Sequence, residues 1–230
     1  MNVFYAPFVD NDVFILDENE SQHAVKVLRL NAGEHVLVMD GKGTICNVII
    51  SNPHPKKCEC KLLERNKTDK RPFHLHIAIA PTKMNDRMEW FLEKATEIGV
   101  EEITPVICDH SERRHTNHER FQKVLVAAMK QSLNPWLPIL NEQEDLEKFL
   151  LRNEPGFIAH CMNGEKSPLK KADLSLERIS ILIGPEGDFT EAEVKAATAN
   201  KWIPVSLGNT RLRTETAAIV ACHTVSLLKS

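Results

Sequence analysis

The sequence predicts a two-part α/β protein: a small β-barrel domain over residues 1–70, then an α/β domain with a parallel sheet over residues 71–230. Two observations carry that expectation. Up to about Leu63 the apolar residues alternate in short runs, the period of half-buried strands. From Phe73 onward, strand-like runs alternate with stretches in which apolar residues recur every three or four positions. Strands separated by helices pair in parallel, because each crossover returns the chain to the same edge of the sheet.

In the first part, residues 35–39 and 44–50 alternate on either side of Asp40-Gly41-Lys42-Gly43, a hairpin signal. Residues 57–62 add a strand, and residues 21–28 supply one short helix. Residues 65–72, polar and ending in Pro72, read as a linker. In the second part, residues 74–80 form a strand. Asn85 or Asp86 then caps a helix that turns Met88, Phe91, Leu92, Ala95 and Ile98 inward and stops at Gly99. A strand at 103–107 precedes a helix over 119–133, with Phe121, Val124, Leu125, Ala128 and Met129 inward. A helix at 145–151 and strands at 157–161, 179–183 and 204–207 follow, and an apolar helix over 217–228 closes the chain. Chemistry of the pattern alone predicts an unknotted doubly wound sheet, since threaded chains are exceptional.

The 230 residues are 42% apolar, enough for one large core or two modest ones, and exclude a disordered class. A net charge of −3 argues against indiscriminate coating of nucleic acid but leaves room for a local basic face. Basic residues cluster at Lys56-Lys57, at Arg65, Lys67, Lys70 and Arg71, at Lys83 and Arg87, and at Arg113-Arg114. The six cysteines are scattered without a Cys-x-x-Cys, as expected of free thiols in a reducing compartment. The start of the chain lacks a basic region followed by an apolar stretch, and no apolar run approaches membrane-spanning length. The expectation is a cytoplasmic protein with no membrane partner. His115 and His118 could share a helix face, but without acidic or Cys partners at zinc spacing no metal site is expected.

Two loops concentrate the chemistry. Ile183-Gly184-Pro185-Glu186-Gly187-Asp188-Phe189-Thr190 follows a strand pattern and leads into Thr190-Glu191-Ala192-Glu193, a capping box that opens a helix. Leu207-Gly208-Asn209-Thr210-Arg211-Leu212-Arg213-Thr214-Glu215-Thr216 precedes the last helix with more charged and hydroxyl side chains than a helix start requires. Glycines at strand-to-helix turns let a ligand approach the backbone at the carboxyl ends of strands. Neither loop is a Gly-x-Gly-x-x-Gly or a Gly-x-x-x-x-Gly-Lys-Ser/Thr cradle, so the expected ligand is neither a dinucleotide nor a triphosphate.

The two loops, with His23-Ala24-Val25-Lys26-Val27-Leu28-Arg29-Leu30, Asp86-Arg87-Met88-Glu89-Trp90 and Lys94-Ala95-Thr96-Glu97-Ile98-Gly99-Val100, resemble the RsmE family of ribosomal RNA methyltransferases, in order and over almost the whole chain. That family belongs to the SPOUT superfamily. The resemblance implies a trefoil-knotted α/β methyltransferase domain, a preceding PUA-like β-barrel that binds RNA, S-adenosyl-L-methionine as methyl donor, and a homodimer. It implies a 16S rRNA or small-subunit substrate methylated at N3 of a uridine. A SPOUT enzyme acting on another RNA, or a non-catalytic RNA-binding protein on the same scaffold, are the competing readings. The intact Arg213-Thr214-Glu215-Thr216-Ala217 run argues against decay.

On this resemblance the donor slot is formed by Ile183, Gly184, Gly187, Leu207, Gly208, Leu212 and Thr214. A β-branched side chain at Gly184 or Gly208 is expected to enter it. Arg213 is expected to orient or stabilise the uracil, and Glu215 to accept its proton, to orient the acceptor, or simply to sit as an acid at a helix start. His23, Arg29, Lys83, Arg87 and Arg211 are the expected RNA contacts, His23 having also the plainer reading of a surface residue. Two departures from the family stand out. The chain begins Met1-Asn2-Val3-Phe4-Tyr5 where many members are basic, so no N-terminal Arg role carries over. Asp188 stands where a second glycine is common, a change expected to favour the helix dipole and spare the pocket. The dimer is expected through the last helix, whose Ala217, Ala218, Val220, Ala221, Val225 and Leu228 exceed one buried stripe, unless that helix is simply central in its own domain.

Overall fold

The computed structural model describes residues 1–9, 11–152 and 154–229. By internal contact the chain divides into two compact units: Met1–Lys70 together with Val126–Leu137, and Arg71–Leu125 together with the chain from Pro138 onward.

The first unit holds a curled five-stranded sheet. Its strands are β1 (Val3–Tyr5), β2 (Val13–Ile15), β3 (His35–Met39), β4 (Thr44–Asn52) and β5 (Glu59–Lys67), in the order β1-β3-β4-β5-β2. The β3–β4 hairpin forms as expected, with Met39 paired to Ile45. Its turn is held by the Asp40 carboxylate, which accepts from the amides of Lys42 (2.7 Å) and Thr44 (2.9 Å). Alternation buries one face: Val36, Val38, Cys46, Val48, Ile50 and Cys60 join Phe4 and Leu16 in one core. The linker expected at 65–72 starts later, because β5 continues through Lys67 against β4. The short helix also differs. Asp17, accepting from the Glu20 amide at 2.8 Å, starts α1 (Glu18–Gln22) earlier than expected, and the chain passes into a π-helical turn at His23–Val27. Gly43 is obligatory here: a Cβ would lie 2.4 Å from the Trp136 ring, which covers the hairpin turn.

The second unit is built on a parallel sheet. Its main strands are β6 (His74–Ile79), β7 (Glu102–Ile107), β10 (Phe157–Ala159), β12 (Arg178–Ile183) and β13 (Ile203–Ser206), with two-residue strands β8 (Ile139–Leu140), β9 (Glu144–Asp145) and β11 (Ser167–Pro168). The short strands have no sequence signal, being too brief to show a period. The sheet order is β11-β13-β10-β12-β6-β7-β8. Numbered by chain position, the five main strands therefore run 5-3-4-1-2, which is neither common doubly wound order and corrects the expectation from pattern alone. The late strands β10, β12 and β13 lie on one side of β6, and β6 is buried on both faces.

The helices are α2 (Asn85–Ile98), α3 (His118–Ser132), α4 (Leu146–Leu150), α5 (Glu191–Ala199) and α6 (Thr214–Lys229). Helix α2 buries Met88, Phe91, Leu92 and Ala95 and ends at Gly99, whose φ of 96° suits glycine. Its N-cap is Met84, with no side-chain bond, rather than Asn85 or Asp86. The Thr190–Glu193 capping box opens α5 as expected. Helix α3 begins at His118, so His115 precedes it and the two histidines do not share its face; the His118 Nε2 lies 3.1 Å from the Leu140 carbonyl oxygen. All six cysteines are free thiols.

Candidate active site

Strand β10 lies between β12 and β13, with Ala159 paired to Ile183 on one side and Val205 on the other. Because the three strands are parallel, the loops that follow them leave the same edge of the sheet. Loops 160–166, 184–190 and 207–213 thus converge. Between them lie two adjoining cavities of about 460 and 260 Å³, which share Ala159, Cys161, Arg211, Leu212 and Ala217 in their walls. The larger falls within the range of small-molecule sites.

Most of the expected slot residues meet there. Leu207, Gly208 and Leu212 line the larger cavity, and Ile183, Gly184, Leu212 and Thr214 the smaller. Gly187 lies on neither: a Cβ there would stand 3.0 Å from the Cβ of His110. The two remaining glycines serve different ends. Gly208, at φ 154°, has open space where its Cβ would be, so its backbone stands bare in the cavity wall. At Gly184 a Cβ would meet the Phe189 ring at 2.8 Å. Its role is to admit the buried Phe189 beneath the loop, which corrects the expectation that a side chain there would enter the slot.

Sequence reasoning missed the third loop. His160, Cys161 and Lys166 line the larger cavity, although nothing in their local pattern marks them. Only the strand order puts β10 between the two recognisable loops. The His160 ring nitrogens are both buried and lack hydrogen-bond partners among the described residues. Burial, with Lys166 nearby, pushes its pKa below the usual imidazole range, so the ring is neutral near neutral pH. The wall of the larger cavity thus combines a neutral ring, a bare glycine backbone, the apolar Val205, Leu207 and Leu212, and the cations Lys166 and Arg211.

Helix α6 begins at Thr214, so Thr214, Glu215 and Thr216 form its first turn rather than a preceding loop. The Thr214 hydroxyl donates to the Gly184 carbonyl at 3.0 Å and ties this turn to the first loop. The Arg211 guanidinium donates to the Glu186 carbonyl at 3.4 Å. Glu186 itself accepts the Lys83 amide at 3.0 Å through Oε1, leaving Oε2 buried and unpartnered. Arg213 is exposed and lines the smaller cavity; its carbonyl accepts the Ala217 amide at 2.8 Å, and its guanidinium makes no hydrogen bond or ion pair among the described residues. Glu215 differs: it is buried, lines neither cavity, and turns Oε1 to within 3.9 Å of Arg87 Nε.

The remaining basic residues are divided by the fold. His23 and Arg29 are exposed in the first unit, His23 with its ring edge-on to Phe4 and Arg29 at φ 56° after the π-helical turn. Lys83 pairs with Glu112 at 2.7 Å, both exposed. Arg71 is bound to Glu101, Arg113 to the carbonyls of Thr82 and Lys83, and Arg114 to that of Asp109, so these cations hold loops in place. Among the described residues no three His, Cys, Asp or Glu could hold a metal ion, and no helix is long and apolar enough to cross a membrane.

A parallel sheet with a small-molecule-sized cavity at its carboxyl edge, in a strand order outside the doubly wound set, defines the class of α/β protein. The chain belongs to the RNA methyltransferase domain family, which residues 69–226 match; residues 16–63 match the RNA methyltransferase PUA domain. It is 28% identical over 229 residues to ribosomal RNA small subunit methyltransferase E of Bacillus subtilis, covering 93% of this chain and 89% of that one. Among solved structures, a probable rRNA-methyltransferase from Porphyromonas gingivalis is 35% identical with a TM-score of 0.90, covering 100% of this chain and 98% of that one. Ribosomal RNA small subunit methyltransferase E from Neisseria gonorrhoeae, bound to S-adenosyl methionine, is 26% identical with a TM-score of 0.89, over 99% and 98%. The architecture is accordingly that of the SPOUT α/β knot methyltransferases with a PUA-like domain before it.

Proposed function

We propose that this protein transfers a methyl group from S-adenosyl-L-methionine to N3 of a specific uridine in 16S rRNA of the small ribosomal subunit. The observation that carries the reading is the cavity between loops 160–166, 184–190 and 207–213, in a chain belonging to the RNA methyltransferase family. The names of the relatives from Bacillus subtilis and Neisseria gonorrhoeae support the small-subunit substrate, and the latter's bound S-adenosyl methionine supports the donor.

The donor supplies an electrophilic methyl on a positively charged sulfonium. Ile183, Gly184, Leu207, Gly208, Leu212 and Thr214 would hold it, with the neutral His160 ring in the wall and the Lys166 ammonium turned onto the carbonyls of its own loop. Gly187 acts at one remove, by letting the first loop settle against His110. Uracil N3 carries a proton at neutral pH that must leave, and the negative charge then spreads onto the ring oxygens. Arg213, exposed at the smaller cavity with a guanidinium that has no partner among the described residues, binds those oxygens in this reading. Glu215 holds the Arg87 guanidinium and so acts as an orienting group. Arg87, Arg211, Lys83, Arg29 and His23 meet RNA, which the first domain (1–70) binds while the second (71–230) carries catalysis. The protein works as a cytoplasmic homodimer, its partner surface including Val220, Leu227 and Leu228 of α6, which its own unit leaves incompletely buried.

Isothermal titration with S-adenosylhomocysteine should show one site per chain; no binding would remove the enzymatic reading. Mass mapping of rRNA from a strain lacking the gene should show one uridine of 16S rRNA losing a methyl group. A loss in another RNA would move the protein to that substrate.

A further inference from the structure

Asp188 has a backbone conformation that a glycine would adopt without strain, with φ at 63°. Asp tolerates this left-handed region, but its presence there calls for a reason beyond tolerance. Nor does it serve a helix dipole: α5 starts at Glu191 behind the Thr190 cap, so Asp188 stands outside it, correcting the sequence expectation. Its side chain reaches across to the third loop. Oδ2 accepts the Cys161 amide at 2.8 Å, Oδ1 accepts the Phe189 amide at 2.9 Å, and the Asp188 carbonyl oxygen lies 3.0 Å from His110 Nδ1.

Apart from that bond, Met162 packs against the core that holds Phe189, and the other hydrogen bonds of the third loop among the described residues are internal. Lys166 donates to the carbonyls of His160, at 2.9 Å, and Met162, folding the loop around its own ammonium. Among the described residues, no hydrogen bond but that from Cys161 to Asp188 joins loop 160–166 to loop 184–190. Cys161 lines both cavities, and Asp188 the smaller one, so this bond joins two wall residues.

We propose that Asp188 is a positioning residue: its carboxylate fixes the His160–Lys166 loop against the Gly184–Thr190 loop, so that the donor cavity is formed before the donor binds. The inference rests on the proposed reading of the cavity as the donor site. Preformed walls raise affinity because the ligand need not order them. The carboxylate is a charge-assisted acceptor, stronger than a neutral one, and removing it takes away the hydrogen bond that holds a loop carrying three wall residues of the larger cavity, leaving Met162 packed in the core.

Asp188→Gly removes the carboxylate at no backbone cost, and Asp188→Asn keeps one acceptor on a side chain that also tolerates this conformation. The expected order is a Kd for S-adenosylhomocysteine, and a KM for S-adenosyl-L-methionine, raised about fivefold in Asp188→Gly and less in Asp188→Asn, with kcat at saturating donor retained. Mere loss of folded protein would lower apparent kcat and leave KM alone. Hydrogen exchange of the 160–166 segment in the ligand-free protein should accelerate in Asp188→Gly. Should that variant fail to fold, the Asn variant alone decides: KM and Kd at wild-type values overturn the proposal. So do wild-type values in both variants. If the wild-type protein itself binds no S-adenosylhomocysteine, the donor-site reading fails instead.

Discussion

At Gly208 and Gly184 the same residue type answers two different demands, and substitutions should separate them. An alanine at Gly208 meets no neighbour within 4 Å but must hold a φ of 154° and projects into the space a ligand would use. Gly208→Ala should therefore raise the Kd for S-adenosylhomocysteine about tenfold or more in calorimetry. Gly184→Ala drives a Cβ into the Phe189 ring, an overpacking that costs about 1–3 kcal/mol, and should lower Tm by several degrees in a thermal melt. Arg213→Ala removes an exposed cation with no internal partner among the described residues, so stability and donor affinity should hold while turnover falls on the order of a hundredfold or more. A loss confined to donor affinity would reverse the assignment. Arg29→Ala should lower the salt slope of rRNA binding by about one unit; Lys83→Ala should do less, since Lys83 already pairs with Glu112.

Between elements, one polar cluster ties the starts of three strands of the catalytic sheet. Glu102 on β7 binds His74 on β6 at 2.7 Å and Arg178 on β12 at 2.9 Å, and accepts from Asn141 at 2.7 Å. The fully buried His76 on β6 sits beside them, its Nε2 2.7 Å from the Thr104 hydroxyl, its Nδ1 3.4 Å from both Ser180 and Arg178, and its ring edge against Phe149. Burial outweighs the attraction of Glu102 and holds the His76 pKa at about 4 instead of 6.5. Burial pushes the Glu102 carboxyl up, but His76, the Asn141 and His74 hydrogen bonds and Arg178 hold it down at about 2. The signs agree. Below pH 6.5 the unfolded chain takes up a proton at His76 that the folded chain refuses until about pH 4, and Glu102 acts likewise between 4.5 and 2. Stability should therefore fall with pH across this window, by up to about 3 kcal/mol from His76. His76→Gln should start less stable yet lose less between pH 6.5 and pH 4; an unchanged slope would place the titration elsewhere.

For the whole molecule the open quantity is the number of chains. Helix α6 buries Ala218, Ala221, Cys222 and Val225 within its own unit, and Ala217 lines both cavities. Its small residues are therefore largely explained without a partner. What is left is an end with Leu227 66% and Leu228 49% exposed, beside a partly buried Val220. Apolar side chains on a two-fold surface meet their own copies, so a modest patch can serve twice. Light scattering at micromolar concentration should give the mass of two chains, and Leu227→Asp with Leu228→Asp should reduce it to one. A single-chain mass for the unaltered protein would remove the dimer.

Local chemistry was enough for much of this molecule. The hairpin at Asp40–Gly43, the stop at Gly99, the Thr190–Glu193 box and the strand at 179–183 each depend on residues within a few positions of one another, and each was legible in the sequence. So were the two glycine loops, whose residues sit beside the strands and helices that frame them. Strand order was not, because it is decided by which buried faces pair across more than a hundred residues, as His76 and Ser180 do at one rung of the sheet. From that order alone follow the third loop, with His160, Cys161 and Lys166 in the cavity wall, and the reach of Asp188 to the Cys161 amide. The surroundings of Gly187 and Glu215 were likewise set by neighbours distant in sequence, His110 from another strand end and Arg87 from another helix, while Gly184 meets Phe189 of its own loop, packed back beneath it. Sequence determined which short segments could bind a ligand backbone; packing decided which of their side chains face it.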